Sequence, residues 1–192
     1  MNEKRFFTLS LLGSVFIYAL ASLLHFIYDL SGGSALSVLF GAVNESVWEH
    51  VKIFSFAFIT WSFIELLVIK PPFKKYVTAK VLSLYFLTLS IIVFFYTYTT
   101  ILKKPILLVD LISSAVFVVL SQYISYLLTV RDNDIQRYFC VALFLLSLAL
   151  IMLFSFTIFS PKIELFKDPV TNRYGLDSTK VDVGAIFLDK SC

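Results

Sequence analysis

Tyr138–Ser160 reads YFCVALFLLSLALIMLFSFTIFS, 23 residues without a charged side chain. About 20 helical residues cross the roughly 30 Å of bilayer hydrocarbon, so this stretch is long enough to span. Four more such runs lie upstream, at about Phe6–Tyr28, Val51–Ile69, Val77–Leu102 and Pro105–Val130. In lipid a backbone must satisfy its own polar groups, so each run is predicted to be a helix. A barrel would need shorter, alternating segments, which the sequence lacks. Composition agrees: the 192 residues are 59% hydrophobic and 15% charged, with mean hydropathy +0.88. That is too apolar for a soluble domain, and a net charge of +3 is too small for a nucleic-acid footprint. Two cysteines exclude a disulfide scaffold.

The expectation is an all-α membrane bundle, with residues 1–160 forming five spans and 161–192 a less apolar tail. Placing the N-terminus in the cytoplasm collects Lys4, Arg5, Lys70, Lys74, Lys75, Lys80, Arg131 and Arg137 inside. Lys52, Lys103 and Lys104 then fall in the outer loops, which leaves five cations in the C-terminal tail. Positive charge prefers the cytoplasmic side, so the tail is predicted to be extracytoplasmic, in a multi-pass cell-membrane protein. Met1–Ala21 also reads as a cleavable signal peptide, which would leave four spans in the same orientation. Between spans one and two, Ser31-Gly32-Gly33-Ser34 is a turn. The run Ala35–Phe40, too short to span, is predicted to be a re-entrant or interfacial helix.

Polar groups inside a membrane are costly and mark function by default. His25 and Asp29 share a face at the outer end of span one, as do Glu45 and Glu49 at the start of span two, each pair spaced i,i+4. Asn44 and His50 flank the latter pair, and Asp110 lies in the outer part of span four. His25, Glu45, Glu49 and His50 are a hard-to-borderline ligand set for zinc, iron or manganese. Asp29, Asp110 and Glu49 are the candidate acid–base groups. The plain alternatives stand beside these. Ser46-Val47-Trp48-Glu49 fits a capping box with a purely structural Glu49, and Asn44 fits an N-cap. Trp48 fits an interfacial anchor, and Cys140 a packing residue. Glu65, embedded towards the inner side, is expected to snorkel or pair with a basic loop residue. In the tail, Phe166–Gly175 carries turn signals and is predicted to fold back on the outer face. Asp168, Arg173 and Tyr174 could meet the pocket there, or the loop could simply tether. Val181–Leu188 has partial strand character, and the terminal Cys192 reads as a free thiol or as an appended, non-native residue.

The run Gly41–Lys52, with its Asn-Glu-Ser-Val-Trp-Glu-His string at Asn44–His50, resembles an uncharacterised family of small bacterial polytopic membrane proteins. His25–Gly32 and Phe166–Gly175 resemble that family too. The resemblance implies a bacterial cell-membrane protein and supplies no activity. The functional expectation is therefore an outer-leaflet polar pocket that binds a divalent metal, with membrane lipids around it and no nucleic-acid partner. It would hydrolyse, or transfer a group on, a lipid-linked or small membrane-proximal substrate. The rivals are a small-molecule or ion transport component and a non-catalytic assembly partner.

Overall fold

The structure is a computed structural model that describes residues 2–176. The strand reading of Val181–Leu188 and the Cys192 thiol lie outside the described residues. Among those, the chain is all-helical: α1 (Glu3–Leu30), α2 (Ala35–Phe40), α3 (Val47–Ile69), α4 (Phe73–Leu102), α5 (Leu107–Val130) and α6 (Phe139–Ile158). A 3₁₀ turn, Ile135–Tyr138, leads directly into α6. Five helical segments are long and apolar enough to cross a membrane, and α2 is not one of them. The chain is thus a five-helix membrane protein.

Local chemistry sets the ends. Gly32 and Gly33 adopt φ of +64° and +80°, which stops α1 after Leu30. Ser34 then caps α2 by accepting from the Ser37 N–H. Pro71 and Pro72 separate α3 from α4. Helix α4 starts at Phe73, directly after its N-cap Pro72 and four residues earlier than hydropathy suggests, because Lys74 and Lys75 lower the hydropathy of its first turn without breaking the helix. Lys80, inside α4, and Lys52, inside α3, are both buried. Neither is a loop cation. Removing each from its side leaves seven against two, the five tail cations being set aside on both counts, a stronger asymmetry than eight against three.

The chain packs as two compact units, whose segments interleave in sequence. One unit joins residues up to Ala21 with Phe54–Ala149. Its core holds Phe6, packed on Tyr76 and Tyr126, together with Ile17, Ala79, Leu87 and Val118. Gly13 lets α1 approach α3 closely, since a Cβ there would stand 2.0 Å from Trp61 Nε1. Cys140 is exposed, so it does not pack a core.

The other unit joins Ser22–Ile53 with the described chain from Leu150. Trp48 is buried between Phe156 and Phe166, at centroid distances of 5.4 and 5.0 Å. It is therefore a core residue and not an interfacial anchor. Tyr28 and Val38 pack with Val43 and Leu176. The tail does fold back: Asn44 Nδ2 donates to the Gly175 carbonyl at 3.0 Å. Beyond the helices, the described tail contains a short 3₁₀ turn, Glu164–Phe166, and a single bridge between Lys167 and Tyr174.

Candidate metal centre

Three short pieces of the second unit build the site: the last turns of α1, the loop of residues 41–46, and the first turn of α3. The loop is strapped to α1 beside His25, because the Ala42 N–H donates to the Leu24 carbonyl at 3.2 Å. Only glycine fits the preceding position. A Cβ on Gly41 would meet Ile27 Cγ2 at 2.5 Å and the Leu24 carbonyl at 3.0 Å. On the other side of Glu45, Asn44 Oδ1 accepts from the Ser46 N–H (2.9 Å) and Ser46 Oγ from the Glu49 N–H (3.4 Å). Glu45 is thus presented from a loop pinned at both ends.

Both histidines face its carboxylate. His25 Nε2 lies 3.6 Å from Glu45 Oε1, and His50 Nε2 lies 3.7 Å from Glu45 Oε2. The two imidazole centroids are 5.3 Å apart. One ligand atom of each residue lies within 4.8 Å of the others. These gaps are too long for hydrogen bonds. They are close to the ~3.4 Å that separates two donors bound tetrahedrally to one zinc ion at about 2.0–2.1 Å. The His50 tautomer is fixed as a metal ligand requires. Nδ1 sits 2.9 Å from the Ser46 carbonyl, which can only accept, so Nδ1 carries the hydrogen and Nε2 keeps its lone pair. Glu45 is half exposed at 50% and His25 partly so at 25%, so the cluster opens outward.

Glu49 does not join it. Its carboxylate lies 2.6 Å from Lys52 Nζ and accepts from Thr157 Oγ1 (3.0 Å) and the Val43 N–H (3.1 Å). The capping box is therefore only half formed, because Asn44 takes the Ser46 N–H that Glu49 would have bonded. One residue along the helix, about 100° of rotation sends Glu49 towards α6 and His50 towards α1. Sequence spacing had paired Glu45 with Glu49, but Glu45 precedes the helix, so the i,i+4 rule does not apply to it. Lys52 went unrecognised as a site neighbour. Its signal was an i,i+3 carboxylate–amine pair within an apolar helix.

Among the other candidates, Asp29 is exposed one turn beyond His25. Asp110 accepts from Tyr98 Oη at 2.6 Å in the first unit. Asp168 is buried and organises its own loop: its carboxylate accepts from the Val170 N–H and Thr171 Oγ1, and its N–H donates to the Arg173 carbonyl. Arg173 is exposed on that loop, and Tyr174 bridges back to Lys167. Asn44 is the link between loop and tail. The metal-like cluster found among the described residues is therefore His25, Glu45 and His50.

A family model described as a family of unknown function, DUF6512, matches residues 2–176. The chain belongs to that family. The match takes in every residue of the site and the whole described tail. No curated protein and no solved structure matches the chain.

Proposed function

We propose that this DUF6512 protein binds a divalent transition metal, zinc by ligand chemistry, through His25, Glu45 and His50. It would use the metal to hydrolyse, or transfer a group on, a membrane-proximal substrate. The observation that carries the reading is that two imidazole Nε2 atoms face the two oxygens of one carboxylate at ligand-to-ligand spacing. Three protein ligands with an open side are the mark of a catalytic rather than a structural zinc site. A metal so held supplies an acidified water and an electrophile for a carbonyl or phosphoryl oxygen. In this chain the Ser46 carbonyl orients His50, the 41–46 loop presents Glu45, and Asp29 is placed one turn from His25 to hold or accept a proton. The site's position, at helix ends next to long apolar helices, favours a lipid-linked substrate.

The test is the metal content of protein purified in detergent without chelator. About one zinc per chain is expected, lost on Glu45→Gln and on His50→Ala while both variants remain monodisperse. Wild-type protein that stays metal-free after zinc loading and dialysis overturns the reading. We also propose a bacterial cell-membrane location with the N-terminus cytoplasmic, supported by the seven-against-two charge asymmetry. External thiol reagents are then expected to label Ser34→Cys and Thr171→Cys but not Lys75→Cys or Asn133→Cys. Labelling of Lys75→Cys in intact cells reverses the orientation.

A further inference from the structure

The first packing unit holds a second ionisable centre, independent of the metal reading. Glu65 of α3 is fully buried. Its Oε2 lies 2.7 Å from Lys80 Nζ and 3.0 Å from Tyr76 Oη, both on α4, and its Oε1 accepts from Ser10 Oγ of α1 at 2.9 Å. Lys80 also donates to Gln122 Oε1 of α5 at 2.7 Å. Residues of three membrane-length helices thus meet at one carboxylate, and a fourth helix, α5, reaches it through Lys80. Glu65 therefore neither snorkels nor reaches a loop cation.

Two features separate this centre from a passive ion pair. The first is a shortage of hydrogens. Tyr76 Oη lies 2.7 Å from the Ser62 carbonyl as well as 3.0 Å from Glu65, yet a phenol has one hydrogen. The Ser62 carbonyl can only accept. When Tyr76 donates to it, the contact with Glu65 is completed only by a proton on the carboxylate. The second is a surplus of unpaired polar atoms. Gln122 Nε2, Ser83 Oγ and Ser125 Oγ are all buried without a partner among the described residues, and Gln122 is 1% exposed. Ser83 and Ser125 stand three residues from Lys80 and Gln122 on the same helices. A network that served packing alone would be satisfied, since each orphan costs about 1–3 kcal/mol. The pair itself is neutral, so a neutral hydrogen-bonding molecule such as water is the partner these atoms suit.

We propose that Glu65, Tyr76, Lys80 and Gln122 form a proton-exchange centre that takes up internal water beside Gln122. The internal step moves one proton from Lys80 Nζ to Glu65 Oε2. The N–H bond breaks, the O–H bond forms, and ammonium plus carboxylate become amine plus carboxylic acid, with net charge unchanged. The acid then donates to Tyr76 Oη, which donates to the Ser62 carbonyl, so every hydrogen has an acceptor. Water next to Gln122 then delivers one proton to the amine, which leaves carboxylic acid plus ammonium and one added positive charge, and it removes that proton again as pH rises. The titratable groups facing Glu65 are Lys80 and Tyr76 from α4, while α1 presents the Ser10 hydroxyl and α5 the Gln122 amide that bonds Lys80.

Infrared difference spectroscopy of the full chain in lipid, titrated in H₂O and in D₂O, tests this. The expected result is a buried carboxylic-acid carbonyl band that grows reversibly as pH falls and shifts promptly in D₂O. Glu65→Gln abolishes it. Lys80→Met makes it permanent across the titration, because an unpaired buried carboxylate takes a proton. The Glu65→Gln/Lys80→Met double variant keeps the helices packed by removing both charges together, and it must lack the band. A band that survives in the double variant belongs to another carboxylate and overturns the proposal. So does a wild-type spectrum with no pH response and no exchange, which leaves the pair a packing element.

Discussion

Replacing Glu49 by Gln changes one atom type and nearly no volume, so its effect isolates the charge. The structure sets the magnitude. Glu49 and Lys52 are 1% and 0% exposed and 2.6 Å apart. Among the described residues, Lys52 Nζ also donates to the Val38 carbonyl (3.2 Å) and Thr157 Oγ1 (2.8 Å), both uncharged. A glutamine would leave a buried ammonium without its anion and aim an amide N–H at one of the donors that the carboxylate accepted. Breaking a buried pair from one side costs about 3–5 kcal/mol, whereas losing a capping interaction costs on the order of 1 kcal/mol. At about 2–4 °C per kcal/mol for a chain of this size, the buried pair predicts a fall of roughly 6–20 °C in melting temperature. The assay is thermal stability of detergent-purified variants. The double variant Glu49→Gln/Lys52→Met, with no charge left to strand, is expected to recover most of the loss. A fall of cap size alone, or a double variant no better than the single one, refutes the reasoning. Metal content adds a second axis: folded Glu49→Gln retains zinc, because its carboxylate is not in the cluster.

Two further substitutions probe how the loop is held. Gly41→Ala forces a Cβ against Ile27 and two backbone oxygens, those of Ser37 and Leu24. The loop must lift from α1, so zinc affinity is expected to fall and stability to drop by about 1–3 kcal/mol, read by metal titration and melting. Unchanged affinity means that Glu45 is not positioned through this contact. Asn44→Ala removes the bond to the Gly175 carbonyl and the one from the Ser46 N–H. Limited trypsin digestion is expected to cut faster at Lys167 and Arg173, and an unchanged cutting rate shows that the tail is held by other contacts.

The amino-acid sequence alone determined the membrane class, the five long helices and the turn chemistry between them. These follow from local quantities: apolar run length against hydrocarbon thickness, Gly32 and Gly33 at positive φ, and the two prolines before α4. It also singled out His25, Glu45 and His50 as ligand types. What it could not determine was which polar groups share a neighbourhood. His50 and Glu49 are adjacent in the chain yet serve different clusters, because helix rotation separates them and the neighbours on each side, α1 for one and α6 for the other, are fixed only by packing. Lys52 and Lys80 count among the flanking charges of the spans for the same reason. Each sits near the end of an apolar run, and only a carboxylate brought to within 3 Å makes its burial tolerable. Glu65 needed Ser10, Tyr76, Lys80 and Gln122, residues spread over more than a hundred positions, before its environment existed at all. Periodicity is a one-dimensional property that a sequence carries in full. The pairing of buried charges depends on distances between helices, which only the tertiary structure decided.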